Sequence, residues 1–197
     1  MKQVYFGIRY LYHWLFSGFH HLGWPVAFGG NVTVRKTHHI WLGNHVFLDS
    51  NVVIQLPEEH KEAGCKQKQI KLKIDDGVSI GLGTMISAAE SITIEKNVLI
   101  GQYCFIGDHD HAYQDVTRPI RDQGLTNIEP VLMKEGSWIG ANVTVCSGVT
   151  IGKNSTIGAN SVVTRNIPDY SVAVGVPARV IKRYSFRTNE WKRVTSK

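Results

Sequence analysis

The sequence predicts an all-β protein, a parallel β-helix shaped like a triangular prism with about six coils. Two observations support this prediction: an apolar residue recurs every six positions, and every insertion falls at the same point of the repeat. One side of such a prism uses about six residues before the chain turns a corner, so three sides make one coil. The repeat consists of six triads: Leu22, Phe28, Val34; Leu42, Leu48, Ile54; Ile74, Ile80, Ile86; Ile94, Ile100, Ile106; Met133, Ile139, Val145; and Ile151, Ile157, Val163.

The insertions predict where the prism carries its loops. Extra residues occur only between one triad and the next, so every insertion should leave the prism at the same edge. The two longest are expected at 55–73 and 107–132, with two coils between them. Because stacked strands lie about 4.8 Å apart, the bases of these loops should be about 10 Å apart. Long loops on a rigid scaffold commonly hold binding and catalytic residues, so this edge is the first candidate site.

The two ends of the chain differ in character from the repeat. Residues 1–21 place apolar side chains at helical steps and are aromatic on most faces, which predicts an N-terminal helix that packs on the first coil or on a neighbouring subunit. A membrane-interfacial helix is the alternative, since the segment is too short and polar to span a membrane. Residues 22–181 are expected to form the β-helix domain, and 182–197 a basic hairpin or tail.

Charge and cysteine usage narrow the class of protein. The net charge of +6 and the pI near 9.3 indicate an anionic partner: a phosphate-bearing cofactor, an anionic membrane surface or nucleic acid. No nucleic-acid-binding motif is present, which argues against the last. Cys65, Cys104 and Cys146 are odd in number and widely spaced, which favours a reduced cytoplasmic protein with free thiols.

Several motifs resemble the hexapeptide-repeat acetyltransferases, in particular the maltose and galactoside acetyltransferase-like branch and the enzymes that O-acetylate capsular or lipopolysaccharide sugars. The resemblance covers about residues 22–182. Its most specific parts are the histidine-containing loop sequence GDHDH at 107–111, the segment WIGANV at 138–143, IGANSVVTR at 157–165, and VGVPARVI at 174–181.

The resemblance implies a left-handed β-helix that forms homotrimers and binds acetyl-CoA in the groove between two prisms, with no required metal. It assigns the general base to His109, with His111 as the rival. A neutral imidazole suits this role because its ordinary pKa is about 6.5. Asp108 or Asp110 would orient the imidazole, and both are also candidates for contact with the acceptor.

The same resemblance assigns the other site residues. The backbone amide of Ala141 would stabilise the oxyanion, and the backbone at Ala159 would bind pantetheine. Acceptor contacts fall on Asp49 and Asn51, where Asp49 replaces an asparagine that is frequent in related sugar acetyltransferases. The remaining cofactor positions are a groove wall and contacts to the nucleotide end: Trp138, Thr164, Arg165, Arg179 and Lys182.

The predicted function is therefore acetyl-CoA-dependent O-acetylation of a sugar hydroxyl, on a surface glycan or on its nucleotide- or lipid-linked precursor. N-acetylation of an amino sugar or an antibiotic would use the same groove. A zinc hydrase of the γ-carbonic anhydrase kind and a non-catalytic scaffold share the fold, but the two-residue step between His109 and His111 does not suit the former. We expect a cytoplasmic protein, with peripheral contact to an anionic membrane as a further option.

Overall fold

The structure is a computed structural model in which residues 18–57 and 70–194 are described. Residues 1–17 of the predicted N-terminal helix and most of the 55–73 loop lie outside the described residues. The end of the predicted helical segment is not helical, because residues 18–20 are irregular and His21 already belongs to the first strand.

Short strands form three parallel sheets, one on each side of a prism. Sheet A contains β1 (His21–Leu22), β4 (Ile40–Leu42), β7 (Leu72–Ile74), β10 (Ile92–Ile94), β15 (Val131–Met133) and β18 (Thr150–Ile151). Sheet B begins with β2 (Val26–Phe28), β5 (Val46–Leu48), β8 (Ser79–Ile80), β11 (Leu99–Ile100), β16 (Trp138–Ile139) and β19 (Thr156–Ile157). Sheet C contains β3 (Thr33–Val34), β6 (Val53–Gln55), β9 (Met85–Ser87), β12 (Phe105–Gly107), β17 (Thr144–Val145) and β20 (Val162–Val163).

The strand register confirms the six-residue repeat. In sheet A, for example, Leu42 pairs with Ile74 and Ile74 with Ile94, and the other two sheets pair their triad members in the same way. All of the triad residues are buried except Leu22 and Val34, which lie in the terminal coil and are partly buried. The apolar core is therefore a column along the prism axis. We number the coils 1 to 6 and name each edge by the two sheets that it joins.

A partial seventh coil, not predicted from the sequence, extends the prism. Ile167 forms a bridge with Ile151, and β21 (Ser171–Gly175) adds to sheet B by pairing Ala173 with Ile157. The step from Val163 to Ile167 is four residues rather than six, so the repeat breaks where this coil begins. The coil covers the open end of the core, because Ile167 and Ala173 are both buried.

The predicted C-terminal hairpin is present but begins earlier than expected. Strand β22 (Ala178–Ser185) pairs antiparallel with both β21 and β23 (Glu190–Arg193), so the hairpin continues sheet B. The division of the chain into domains stays a prediction. No helix in the described part of the chain is long and apolar enough to cross a membrane.

Both long loops leave the prism at edge CA, as predicted. The first connects β6 to β7 and the second connects β12 to β15. The second loop contains two short strands, β13 (Asp110–His111) and β14 (Leu125–Thr126), which pair antiparallel, and a 3₁₀ turn at Ile120–Asp122. Another 3₁₀ segment, at Thr37–His39, precedes β4 on the same edge. The Glu129 amide donates to the Asp108 carbonyl at 2.9 Å and so closes the base of the second loop, which we call the arm.

Candidate active site

His109 lies at the base of the arm, on edge CA of coil 4. Its Nδ1 is 2.8 Å from the Oδ1 of Asp108, whose side chain is fully buried. Because the carboxylate accepts at this position, Nδ1 carries the hydrogen and the lone pair of the neutral ring lies on Nε2. The His109 side chain is 10% exposed, so the ring is held in place at the surface.

The corner of coil 3 holds the Asp108 carboxylate. The Ala89 amide donates to Oδ1, and the Glu90 and Ser91 amides donate to Oδ2, each at 2.8 Å. Burial alone would raise the pKa of Asp108, but the hydrogen bonds from His109 and from these three amides outweigh it and hold the pKa below its ordinary value. Asp108 is therefore an ionised, buried partner that orients the imidazole, and it lies out of reach of an acceptor.

Ser147 on coil 5 fastens the base of the arm. Its hydroxyl donates to the Asp108 carbonyl at 3.0 Å and also lies against the Asn127 carbonyl, and the Glu129 amide donates to the hydroxyl at 3.2 Å. Ser147 lies two residues beyond a triad position and follows Cys146, so the sequence contained no signal for this role.

The neighbouring candidates on the arm are more exposed. His111 is exposed and pairs through β13 with Leu125. Asp110 is also exposed, and it accepts from Nδ2 of Asn127 at 3.1 Å, which ties the two strands of the arm together. Of the two histidines in the motif, His109 is the one with an oriented ring.

Ala141 and Ala159 lie on a different edge, BC, on coils 5 and 6. Their amides have no hydrogen-bond acceptor within residues 18–57 and 70–194, so both can donate to a ligand. The preceding glycine permits close stacking at this edge, since a Cβ on Gly140 would lie 2.7 Å from the Ala159 nitrogen. The side chain of Trp138, on the outer side of sheet B next to this edge, is half exposed.

Asp49 and Asn51 lie at edge BC of coil 2 and have structural roles there. The Asp49 carboxylate accepts from its neighbour's amide, Ser50 N, at 2.6 Å. Asn51 has a φ of 58°, a left-handed conformation that asparagine tolerates better than most residues. Contact of either residue with an acceptor stays a prediction.

The basic candidates extend the outer side of sheet B beyond Trp138. The register runs from Trp138 to Thr156, Val172 and Lys182, so Trp138 and Lys182 are about 14 Å apart across three strand spacings. Arg193 lies directly opposite Lys182 in the hairpin. Arg193 belongs to the basic segment 182–197, but its position opposite Lys182 could not be predicted without the strand register.

Arg179 is exposed and lies on the same strand as Lys182, where it pairs with Val174 near edge BC. Its guanidinium donates to the Ala178 carbonyl. Thr164 and Arg165 are exposed at edge CA of coil 6, about 10 Å above His109 along the prism.

The predicted site residues therefore form two groups in one copy of the chain. His109, Thr164 and Arg165 lie on edge CA, whereas Trp138, Ala141 and Ala159 lie on or beside edge BC. Sheet C separates the two edges by about 15–20 Å, given five or six residues at 3.3 Å each. A single prism thus does not bring the histidine next to the free amides.

The described residues show neither a metal-binding cluster nor a cysteine with a lowered pKa. In the part of the chain that the structure describes, no group of three or more His, Cys, Asp or Glu side chains is arranged to hold a metal ion. Cys104 is buried, and its Sγ lies 3.1 Å from the Gly140 carbonyl. Burial raises the pKa of the Cys104 thiol and also that of Cys146, with the nearby Asp110 charge adding to the latter.

Comparison with known proteins confirms the resemblance to the hexapeptide-repeat acetyltransferases. Residues 130–165 match the family described as bacterial transferase hexapeptide (six repeats). The chain is 42% identical over 111 residues to a probable acetyltransferase of Mycobacterium tuberculosis, and 36% identical over 124 residues to a putative lipopolysaccharide biosynthesis O-acetyl transferase of Escherichia coli. These alignments cover 56% and 60% of this chain but 37% and 63% of the two relatives.

Solved structures confirm the left-handed parallel β-helix fold. An N-acyltransferase from Bacillus cereus, in complex with dTDP and 3-hydroxybutyryl-CoA, superimposes with a TM-score of 0.73 at 22% identity, covering 90% of each chain. A maltose O-acetyltransferase from Clostridium difficile has a TM-score of 0.57 at 26% identity and covers 85% of this chain and 71% of its own. The chain thus has a left-handed β-helix fold, a hexapeptide-repeat match over residues 130–165, and relatives named as acetyltransferases.

Proposed function

We propose that this protein transfers an acetyl group from acetyl-CoA to a hydroxyl group of a sugar, on a surface glycan or on its nucleotide- or lipid-linked precursor. The observation that carries this proposal is the buried Asp108 carboxylate that orients His109 at the base of the arm. A relative named as a lipopolysaccharide biosynthesis O-acetyl transferase supports the choice of a sugar hydroxyl.

The geometry supports direct transfer without an acyl-enzyme. Nε2 of His109 takes the proton of the acceptor hydroxyl as that oxygen attacks the thioester carbon. Asp108 stabilises the imidazolium that forms, because its carboxylate already accepts from Nδ1. The oxyanion of the tetrahedral intermediate accepts from the Ala141 amide. Collapse of the intermediate breaks the carbon–sulfur bond, and the imidazolium returns its proton to the sulfur of CoA.

The cofactor would lie along the outer side of sheet B and edge BC. Trp138 forms a wall of this path, and the free amide of Ala159 is one coil above that of Ala141. Lys182 and Arg193, opposite each other, present two positive charges for the phosphates, and Arg179 lies beside them. Thr164 and Arg165 would contact the nucleotide end from the other wall of the groove.

The placement of these residues on two edges supports a homotrimer. In a closed ring of three copies, edge CA of one prism can face edge BC of the next, which joins His109 to the free amides. Large apolar side chains are exposed on the surfaces that such contacts would cover. They are Phe47, Leu99, Tyr103, Phe105 and Trp138, with exposed fractions between 36% and 57%.

A mixing experiment tests this shared site. The variant His109→Ala lacks the base, and the double variant Lys182→Glu with Arg193→Glu lacks cationic contacts on the other wall. Each homotrimer should be inactive at limiting acetyl-CoA. When the two are co-expressed in equal amounts, about a quarter of the interfaces would join an intact base to an intact wall. Recovery near a quarter of wild-type activity supports the trimeric site, and no recovery contradicts it.

N-acylation of an amino sugar is the second candidate. The Bacillus cereus N-acyltransferase, which shares the fold, is the reason to retain it. An amine acceptor loses a proton to the same histidine, so the groove alone does not separate the two reactions. Assays with matched acceptors that carry either a hydroxyl or an amine at one ring position would separate the two reactions.

The predicted contacts to these acceptors are Asp110 and Asn51, which are both exposed. His109→Ala should abolish transfer to either, and His111→Ala should reduce it less than tenfold.

We infer a further contact between the hairpin and an anionic membrane surface, on the cytoplasmic side where acetyl-CoA would be available. Arg183 lies opposite Lys192, and like charges in a direct cross-strand pair are destabilising without a counter-charge. Phe186 at the turn is 65% exposed and stacks edge-on with Tyr184. Exposed aromatic and basic side chains together favour a phospholipid interface.

A further inference from the structure

We propose that a cavity on edge CA, below His109, binds the diphosphate group of the sugar acceptor, so that the acceptor is a glycosyl diphosphate. This inference rests on the proposed function, because it specifies the acceptor of the same reaction. The cavity is open to solvent, has a volume of about 330 Å³ and is lined by Arg35, Lys36, Gln55, Leu56 and Pro57. Its volume lies near the lower end of the range for small-molecule sites.

The strand register places this cavity in line with the histidine. Gln55 pairs with Ser87, and Ser87 pairs with Gly107, which precedes the Asp108–His109 pair by one residue. Two strand spacings, about 10 Å, therefore separate Gln55 from the base of the arm. Arg35 is one coil lower, since its amide donates to the Ile54 carbonyl next to Gln55, and lies about 14 Å below the histidine.

The lining has the chemistry of a site for an anion attached to an apolar or sugar group. Arg35 is exposed and forms no ion pair with a carboxylate among the described residues, so its guanidinium can bind phosphate oxygens in a two-pronged manner. Lys36 adds a second cationic group, and none of the described lining residues is acidic. Leu56 and Pro57 provide an apolar wall on the same side.

The side chain of Gln55 links the cavity to the coil that holds Asp108. Its Nε2 donates to the Ser87 hydroxyl at 3.2 Å, which fixes the amide at the upper end of the cavity. The second N–H of this amide group can donate to a ligand oxygen. A ligand bound here thus contacts a rigid part of the prism, directly beneath the corner at 89–91 that holds the Asp108 carboxylate.

The span between the cavity and His109 suggests how the ligand lies. With its phosphates near Arg35, a glycosyl diphosphate directs its sugar along the edge, and a ring hydroxyl on the far side approaches Nε2. The donor has its basic contacts at the other end of the prism, where Arg165 is two coils above His109. The two anionic substrates would therefore approach the base from opposite ends of one edge, and a neutral sugar would lack the lower contact.

Binding measurements test this assignment independently of turnover. Wild-type protein is first saturated with CoA, so that cationic positions used by the donor are occupied, and inorganic pyrophosphate is then titrated by calorimetry. We expect Arg35→Gln to weaken pyrophosphate binding about 10- to 100-fold, the range for hydrogen bonds to a charged group. Arg187→Gln removes an equal charge from the hairpin turn and should leave this binding unchanged. Equal affinity of wild type and Arg35→Gln, or no pyrophosphate binding to the CoA complex, overturns the inference.

Kinetic measurements with three acceptors identify the class of substrate. The acceptors are a nucleoside diphosphate sugar, a short-chain prenyl diphosphate sugar and the methyl glycoside of the same sugar. Arg35→Gln should lower kcat/KM at least tenfold for a diphosphate acceptor and less than twofold for the methyl glycoside. The diphosphate acceptor with the higher kcat/KM identifies the natural attachment, nucleoside or lipid.

The two proposals fail in different ways. An equal loss on charged and neutral acceptors means that Arg35 does not select the diphosphate, and it overturns the inference. Such a result leaves the proposed acetyl transfer intact. Full activity of His109→Ala on every acceptor, in contrast, contradicts the proposed function while leaving the pyrophosphate result readable.

Discussion

Replacing Asp108 by asparagine gives the sharpest prediction about the proposed base. The carboxylate accepts four hydrogen bonds at 2.8 Å, from His109 Nδ1 and from the amides of Ala89, Glu90 and Ser91. An asparagine side chain has one oxygen and one NH₂ group, so in either orientation the NH₂ faces at least one backbone N–H. With the NH₂ at the Oδ1 position it opposes only Ala89, whereas at the Oδ2 position it opposes two amides. The first orientation is therefore favoured.

In the favoured orientation the NH₂ group also donates to Nδ1 of His109. The ring hydrogen is then forced onto Nε2, and the nitrogen that should accept the substrate proton is blocked. We expect kcat to fall on the order of 10³- to 10⁴-fold, as for the corresponding change in a serine protease triad. Loss of the Ala89 hydrogen bond, which leaves that amide facing an NH₂ group, should lower the free energy of unfolding by about 2 kcal/mol.

Release of free CoA, followed with an accepted sugar, measures the activity, and urea unfolding measures the stability. Asp115→Asn is the control, because Asp115 is an exposed carboxylate of the arm that contacts Thr117. The control should retain activity within about threefold. A folded Asp108→Asn protein whose kcat lies within tenfold of wild type would refute the assignment of His109 as an oriented base.

Three further predictions follow from neighbouring contacts. The stability difference between wild type and Asp108→Asn should be complete at pH 7, begin to shrink as the pH falls to about 4, and be lost progressively at lower pH, because the pKa of Asp108 is lowered on folding and the carboxylate of the folded protein takes up its proton only below the ordinary value. Urea titrations at several pH values measure this difference, and a difference that is the same at pH 7 and pH 2 is the contrary result. Ser147→Ala should lower kcat with little change in the CoA dissociation constant, because it removes the hydrogen bonds that hold the base of the arm. Hydrogen exchange at the Glu129 amide should become faster, and unchanged exchange argues against this role of Ser147. Wild-type protein should float with liposomes that contain anionic lipid, and the double variant Arg183→Glu with Lys192→Glu should not float with them in about 0.1 M salt. Equal flotation of the two proteins would contradict the membrane contact.

The scaffold could be predicted from sequence because its signal is periodic. Each triad residue pairs with the equivalent residue one coil away, as in Ile74 with Ile94, so one column of apolar residues fixes the register of three sheets. The seventh coil was missed because the four-residue step before Ile167 breaks that period. The early start of β22 at Ala178 was missed for a related reason: the strand pairs with β21, a partner that the repeat does not include.

The site was predictable only where a motif names its residues. The motif at 107–111 identified His109, but the amides of 89–91 that hold Asp108 come from a corner whose side chains, Ala89 among them, have no part in the interaction. Backbone groups leave no pattern in a sequence. For Asp49 the motif suggested acceptor binding, whereas its hydrogen bond to the Ser50 amide became visible only in the structure. Arg193 could be placed opposite Lys182 only once the register of the hairpin was known.

A crystal structure of the protein with CoA bound tests the central claim most directly. The claim is that one copy supplies the base and the adjacent copy supplies the free amides. The account predicts a trimer with CoA in the groove between two prisms, its sulfur facing Nε2 of His109 from one copy and the amide of Ala141 from the next. CoA bound along a single prism, with the sulfur remote from His109, would contradict it.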